Sequence, residues 1–342
     1  MSRIRVSVAP PYEVTVECGA LDRLGQLLSP LAEGAVCVVT DTNVAPLYLQ
    51  CAQSALSAAG FSVCTAVLPA GEQTKCFSRY AELVERFADF GLCRSDTVLA
   101  LGGGVICDLA GFAAATYLRG VRFASVPTDL LAMTDASVGG KTAIDLPTGK
   151  NLVGAFYQPS LVVCDPTLLS TLPLSELQNG CGEVVKTAVL FDRALFAHLE
   201  DNGLAFDRTE IVERCIAHKA AVVSRDPYDT GERRLLNLGH TVGHAIERLS
   251  GYTVAHGAAV SIGTAVMARA FCADAARIEA LLSALGLPSR TPYSAEALAE
   301  AALCDKKRCG THLTLVVPLR IGQCELRSVP IAELAALIKR GL

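Results

Sequence analysis

Thr97-Val-Leu-Ala-Leu101, then Gly102-Gly103-Gly104, then Val105 to Tyr117 of TVLALGGGVICDLAGFAAATYLRG form the stretch from which the fold is read. The short apolar run suits a strand covered on both faces. The glycines let the backbone approach a ligand closely. Helical spacing of apolar residues follows, and the first N–H groups of a helix have no partner within it. A strand, a glycine turn and a helix in that order seat a phosphate on a helix N-terminus. Such a turn also occurs for purely structural reasons, so its neighbours carry weight. Downstream, MTDASVGGKTAIDLPTGKN sets Asp135, Lys141, Asp145, Lys150 and Asn151 among Gly139, Gly140 and Gly149. Only 19% of the chain is charged, against about a quarter in typical domains. Lys141 and Lys150, each beside a glycine, therefore point to anion binding rather than to solvation.

Outward from this stretch, residues 3 to 18 alternate and read as a hairpin. Strands are expected at 35–40, 61–68, 122–126 and 161–164, alternating with helices at 21–28, 44–59 and 79–90. Apolar strands alternating with helices imply a mostly parallel sheet covered on both faces. After Pro173 the pattern turns helical, with expected helices at 176–190, 194–200, 210–224, 235–249, 258–275, 295–302 and 331–339. Extended segments are expected there only at 312–317 and 323–326. The reading is thus an α/β domain over 1–173 and a mainly helical domain over 174–342.

Lys and Arg number 30 and Asp and Glu 34, a net charge of −4. With no tryptophan and few aromatics, neither a phosphate-tracking surface nor a base-stacking one is indicated, so no nucleic acid is expected. The charge-free run Leu249–Ala268 contains His256 and glycines and reads as buried core, not as a membrane span. MSRIRVSVAPPYE lacks the apolar region of a signal peptide. The 14 cysteines contain no C-x-x-C pair and read as reduced, mostly buried thiols, which places the chain in the cytoplasm.

Asn237-Leu-Gly-His240-Thr-Val-Gly-His244 sets two histidines on one helix face. His256 opens the next helix, and Glu183 lies on an earlier one in Gly182-Glu183-Val-Val-Lys186. Two or three imidazoles with a carboxylate suit a catalytic zinc site with an open position. His244 fits metal ligation, ligand binding or a core role equally at this point. His198, His218 and His312 read as ordinary residues.

The motifs GGGVICDLAGFAAATYLRG, MTDASVGGKTAID, GKNLVGAFYQP, GEVVKT, NLGHTVGHAIE, HGAAVSIG and DKKR, in that order, closely resemble the 3-dehydroquinate synthase family over nearly the whole chain. The resemblance implies a Rossmann-like NAD domain followed by a mainly helical metal-binding domain. It implies a divalent metal, zinc first and cobalt as an alternative, on Glu183, His240 and His256, with His244 beside the substrate phosphate. Asp41, Asn43, Glu72, Lys75, Gly103, Gly104, Asp108, Thr128, Lys141 and Lys150 match NAD-binding positions, with Asp135 near the nicotinamide. Lys141, Asn151, His244 and Lys307 match phosphate-binding positions. Arg119 would reach across a homodimer interface. Lys219, Arg233 and Asn237 match carboxylate-binding positions, while Lys150 and Lys186 complete the lining.

The implied reaction converts 3-deoxy-D-arabino-heptulosonate 7-phosphate to 3-dehydroquinate and phosphate. It proceeds by transient oxidation at C5, phosphate elimination, re-reduction, ring opening and aldol closure, a phosphorus–oxygen lyase reaction of the shikimate pathway. The alternatives are another sugar phosphate cyclase, a metal-dependent polyol dehydrogenase and a non-catalytic NAD-binding regulator. One departure stands out: Cys107 replaces the glycine of the family's GGGVIGD pattern. As a thiol on the first turn of a helix it is expected either to be reactive and shielded by NAD or simply to pack helix against strand.

Overall fold

The computed structural model describes residues 1–304 and 310–342. Among these residues the chain forms two compact units, Met1–Leu172 with Arg208–Tyr228, and Pro173–Asp207 with Asp229–Leu342.

The first unit contains strands β1 (Ser2–Val6), β2 (Tyr12–Val16), β3 (Ala35–Asp41), β4 (Ser62–Leu68), β5 (Thr97–Gly102), β6 (Arg122–Pro127), β7 (Lys141–Leu146), β8 (Gly149–Phe156) and β9 (Leu161–Cys164). Its helices are α1 (Leu24–Leu28), α2 (Gln50–Ala58), α3 (Phe77–Asp89) and α4 (Gly104–Thr116). Seven of the strands form one sheet in the order β1-β2-β9-β6-β5-β3-β4, within which every pairing but the β1–β2 hairpin is parallel; β7 and β8 pair separately and antiparallel. All six residues of β5 are buried, as its unbroken apolar run requires. Leu83 and Phe87 of α3 and Ile106, Leu109 and Ala113 of α4 pack on this sheet. From β3 the chain moves outward to β4, then returns to β5 on the other side of β3. The strand order therefore reverses between β3 and β5, and the crevice at their carboxyl ends is where such sheets bind ligands.

The second unit contains α5 (Leu174–Phe191) and α6 (Arg193–Asn202). The chain then returns to the first unit as α7 (Arg208–Arg225), which the expected single boundary at residue 173 does not include. It re-enters the second unit to form α8 (His240–Leu249), α9 (His256–Phe271), α10 (Ala275–Ala284), α11 (Ala295–Cys304), β10 (His312–Arg320), β11 (Gln323–Pro330) and α12 (Leu334–Gly341). Strands β10 and β11 pair antiparallel, and α9, buried at every position from Ala259 to Ala268, forms the unit's centre.

The glycine-rich segment 141–156, for which the sequence suggests no element, is a β7–β8 hairpin. Two local expectations are corrected. The helix expected over 235–249 breaks at Gly239, whose φ of 77° is left-handed, so a short 3-10 turn at Glu232–Asn237 precedes α8. The helix expected over 258–275 ends at Phe271, and α10 starts separately at Ala275. Of the twelve cysteines whose side chains are described, all free thiols, five are buried, five half-buried and two exposed; strand edges and helix ends leave the rest partly open. No described helix is long and apolar enough to cross a membrane.

Candidate active site

In the second unit, Asn179, Gly182, Glu183 and Lys186 follow the i, i+3, i+4, i+7 spacing and share one face of α5. Glycines let that face meet α9 backbone to backbone. A Cβ on Gly182 would overlap the Gly257 carbonyl, and one on Gly257 would overlap the Asn179 carbonyl. The Asn179 side-chain oxygen accepts the Gly257 N–H at 2.7 Å, fixing the first turn of α9. The result sets His256 Nε2 3.4 Å from Glu183 Oε1. Gly239, directly before α8, touches α9 in the same way: a Cβ there would lie 2.7 Å from the Val260 carbonyl oxygen. That approach sets His240 Nε2 3.7 Å from Glu183 Oε1.

Glu183, His240 and His256 thus each offer a donor atom, all within 4.8 Å of one another. The remaining ring nitrogens are engaged as metal-binding imidazoles require. His240 Nδ1 lies 3.1 Å from the Leu238 carbonyl, and His256 Nδ1 lies 3.4 Å from Glu247 Oε2. A carboxylate and two imidazoles with their outer nitrogens held is a donor set that suits zinc or a similar divalent ion. Burial, reinforced by the Lys186 ammonium, pushes the His240 pKa down to about 3, despite Glu183. Burial also opposes charge on His256, but hydrogen bonds to Glu183 and Glu247 override it and raise its pKa to about 10. His256 faces two carboxylates where His240 faces one and a lysine, which accounts for the opposite directions. Lys186 pairs with Glu183, and both are buried. His244 is exposed, its ring 5.3 Å from that of His240; with Glu247 and His256 it forms a second, overlapping donor group. Arg233 is buried and Asn237 half-buried in the turn before α8.

In the first unit, the sequence-selected residues gather at the carboxyl ends of β3 and β5. Asp41 ends β3 and accepts the N–H groups of Asn43 (2.8 Å) and Val44 (3.0 Å). Gly103 precedes α4, and a Cβ there would overlap the Asp129 carboxylate. Thr128 is buried after β6, its N–H on the Gly102 carbonyl at 3.1 Å. This bare backbone at a helix N-terminus, on the strand-order reversal, fits a dinucleotide pyrophosphate. Beside it Lys75, 4% exposed, meets Asp108 Oδ2 at 2.7 Å and Asn151 Oδ1 at 2.5 Å. Glu72 lies 3.9 Å from Lys75 and 3.5 Å from Lys150. Burial favours neutral Lys75, but Asp108 and Glu72 more than reverse this and raise its pKa. Burial raises the Asp108 carboxyl while Lys75, 2.7 Å away, opposes it.

Lys219 on α7 ion-pairs with Asp135 at 2.6 Å and also bonds its carbonyl oxygen. That contact joins the packing of α7 on β1 and on the turn that carries Asp135, both in the first unit. Lys141 begins β7 and is exposed. Arg119 is exposed in a turn where Leu118, Arg119 and Gly120 all have positive φ. Lys307 lies outside the described residues.

Models of the 3-dehydroquinate synthase N-terminal and C-terminal regions match residues 65–179 and 180–308. A 3-dehydroquinate synthase of Lactiplantibacillus plantarum is 44% identical over 337 residues, spanning 95% of this chain and 94% of that protein. The chain belongs to the 3-dehydroquinate synthase family. A 2-epi-5-epi-valiolone synthase from Streptomyces hygroscopicus, solved with NAD+ and Zn2+ bound, is 28% identical, with a TM-score of 0.87 and 96% of each chain covered. A 2-deoxy-scyllo-inosose synthase solved with carbaglucose-6-phosphate, NAD+ and Co2+ is 24% identical; its TM-score of 0.88 over 100% of both chains shows a shared fold.

For a 3-dehydroquinate synthase family member, Cys107 then needs explaining. Its thiol is 3% exposed, 3.2 Å from the Ser125 hydroxyl, and burial pushes its pKa up to about 12 despite that hydroxyl. Desolvation outweighs the helix N-terminus, so the expectation of a reactive thiol is withdrawn: Cys107 packs α4 against β6. Sequence reasoning also missed Glu247. The spacing of His240, His244 and Glu247 puts all three on one helix face, and that periodicity is a signal that could have found it. Asn179 is legible in the sequence only as a helix-surface amide.

Proposed function

We propose that the chain converts 3-deoxy-D-arabino-heptulosonate 7-phosphate to 3-dehydroquinate and phosphate. The observation carrying this is the Glu183–His240–His256 donor set, its carboxylate buried and its imidazoles half-buried, in a lyase family member 44% identical to a curated 3-dehydroquinate synthase. Glu183, His240 and His256 would hold a divalent ion, zinc first and cobalt as the alternative. Asp41, Asn43, Glu72, Lys75, Gly103, Gly104, Asp108, Thr128 and Asp135 would hold NAD. The ion supplies Lewis acidity toward a substrate hydroxyl, and NAD supplies a hydride acceptor and donor within one turnover.

The chain's own residues bind and orient. Lys141, Asn151, His244 and Lys307 would take the phosphate, with Lys150 and Lys186 completing the lining, where lysines act as point charges and imidazole as a hydrogen-bond donor. Arg233 presents a planar fork suited to the substrate carboxylate, with Asn237 and Lys219 adding donors. Lys219 already serves Asp135, so its ammonium also fixes the segment that carries Asp135. Glu247 fixes the His256 ring through Nδ1, presenting Nε2 toward Glu183.

A homodimer with Arg119 contributed across the interface, a cytoplasmic location and a place in the shikimate pathway belong to the same proposal. The deciding experiment measures phosphate release from the heptulosonate phosphate with catalytic NAD. Release that needs metal and NAD, without net NADH, is expected. Net NADH formation would instead indicate a polyol dehydrogenase. No release from this substrate, but release from a phosphosugar lacking the carboxylate, would indicate another cyclase.

A further inference from the structure

The β7–β8 hairpin contains an irregularity that the proposed chemistry does not by itself explain. Ile144 pairs with Val153 and Leu146 with Gly149, so Asp145 alone faces Lys150, Asn151 and Leu152. The ladder bulges there, and bulges re-aim side chains. Asn151 sits in the bulge with a φ of 56°, a left-handed conformation that asparagine adopts more readily than other non-glycine residues but that still favours glycine. Something must hold it.

Asp145 does so through two backbone contacts. Its Oδ1 accepts the Asn151 N–H at 2.7 Å, replacing the ladder bond lost in the bulge. Its own N–H donates to the Lys75 carbonyl oxygen at 2.7 Å. The second bond ties the bulge to the turn that carries Glu72 and Lys75. Across that joint Lys75 Nζ reaches Asn151 Oδ1 at 2.5 Å and Asp108 Oδ2 at 2.7 Å. Lys150, next to Asn151, lies 3.5 Å from Glu72. Both ends of the joint therefore carry residues read as ligand contacts: Lys75, Glu72 and Lys150 toward NAD, Asn151 toward the substrate phosphate.

We propose that Asp145 is a positioning residue that holds Asn151 in its left-handed bulge and docks it on Lys75, so that NAD and phosphate contacts are set by one joint. This rests on the site reading given under the proposed function. Burial pushes the Asp145 carboxyl above the usual carboxylate range, with the Asn151 amide opposing. An acceptor oxygen at that spot, rather than a full charge, is what Asn151 uses. An asparagine at 145 retains such an oxygen and an alanine does not.

The test compares Asp145→Ala with Asp145→Asn in the full chain loaded with metal, reading NAD affinity by calorimetry and steady-state kinetics by phosphate release. Asp145→Ala is expected to weaken NAD binding about tenfold and to raise the substrate KM by about the same factor, as loss of the hydrogen bond that holds the Asn151 N–H implies. Its kcat should stay within about threefold, because Asp145 touches no reacting group. Asp145→Asn should stay within about twofold of the parent in every constant. Lys75→Ala and Asn151→Ala separate the positioning role from the site reading. If they weaken ligand binding and Asp145→Ala does not, the positioning role is wrong. If all three variants leave binding unchanged, the site reading itself is wrong. Amide hydrogen exchange offers a check that needs no variant: Asn151 N–H should be protected in the parent chain, and exchange at the unprotected rate overturns the proposal.

Discussion

Replacing Gly257 with alanine tests whether backbone contact between α5 and α9 creates the metal centre. The added Cβ would stand 2.8 Å from the Asn179 side-chain oxygen and 2.7 Å from its carbonyl carbon, with the carbonyl oxygen closer still. The side chain could rotate away, but the carbonyl belongs to the backbone of α5 and cannot. The first turn of α9 must therefore move away from α5 by on the order of 1 Å, at a cost of about 1–3 kcal/mol. His256 is the first residue of α9, so its Nε2 moves away from Glu183. Metal ligand distances tolerate only about 0.2 Å. Loss of one ligand's placement should lower metal affinity by at least the factor of about 10–100 seen when supporting contacts are removed.

Gly243→Ala is the matched control, because its Cβ would meet the Ala259 carbonyl at 3.1 Å, a distance that a few tenths of an ångström relieve. Affinity is measured by chelator competition with zinc, and geometry by the visible absorption of the cobalt form. Gly257→Ala should lose both and Gly243→Ala should keep both. Wild-type affinity and an unchanged cobalt spectrum in Gly257→Ala would refute the claim that this contact sets the site.

The His256 pKa gives two pH effects. A metal ligand must be neutral, so with its pKa raised to about 10 metal binding at pH 7 should release a proton from His256, and affinity should rise with pH; His240, lowered to about 3, should release none. In the metal-free chain, a raised histidine pKa contributes stability that is fully present below the unfolded value of about 6.5 and is lost as pH rises toward 10; denaturant titrations across that window should show the decline, and a rise there would contradict it. Arg233→Lys should lower kcat/KM for the carboxylate substrate about tenfold or more, since lysine cannot reproduce a bidentate contact; equal losses on an analogue without the carboxylate would remove Arg233 from that role. Cys107→Gly should leave NAD affinity within about twofold while destabilising the first unit through lost packing, and thiol labelling that is fast at Cys107 and blocked by NAD would restore the reactive reading.

The local signals are legible in the residues themselves. The Thr97–Leu101 strand, the glycine turn and the α4 helix follow from residue-level sterics and periodicity, which act between near neighbours. The same holds for His240 with His244 and for His256 at a helix start, because a helical turn fixes that spacing wherever the helix lies. The motif order reaches further, naming candidate residues in both units. Which distant surfaces meet is decided elsewhere. Glu183 faces His240 and His256 only because glycines let α5, α8 and α9 approach at backbone distance. Glu247 and Asn179 acquire roles only from that approach. α7 reads as one helix among many in the second half, yet its apolar face packs on β1 and its Lys219 reaches Asp135, both in the first unit. The β7–β8 bulge, with Asp145 holding a left-handed Asn151, is hidden from sequence patterning because its hydrogen bonds replace the regular ladder that such patterning detects. Those features depend on burial and on contacts between residues far apart in the chain, and such contacts exist only once the tertiary structure has formed.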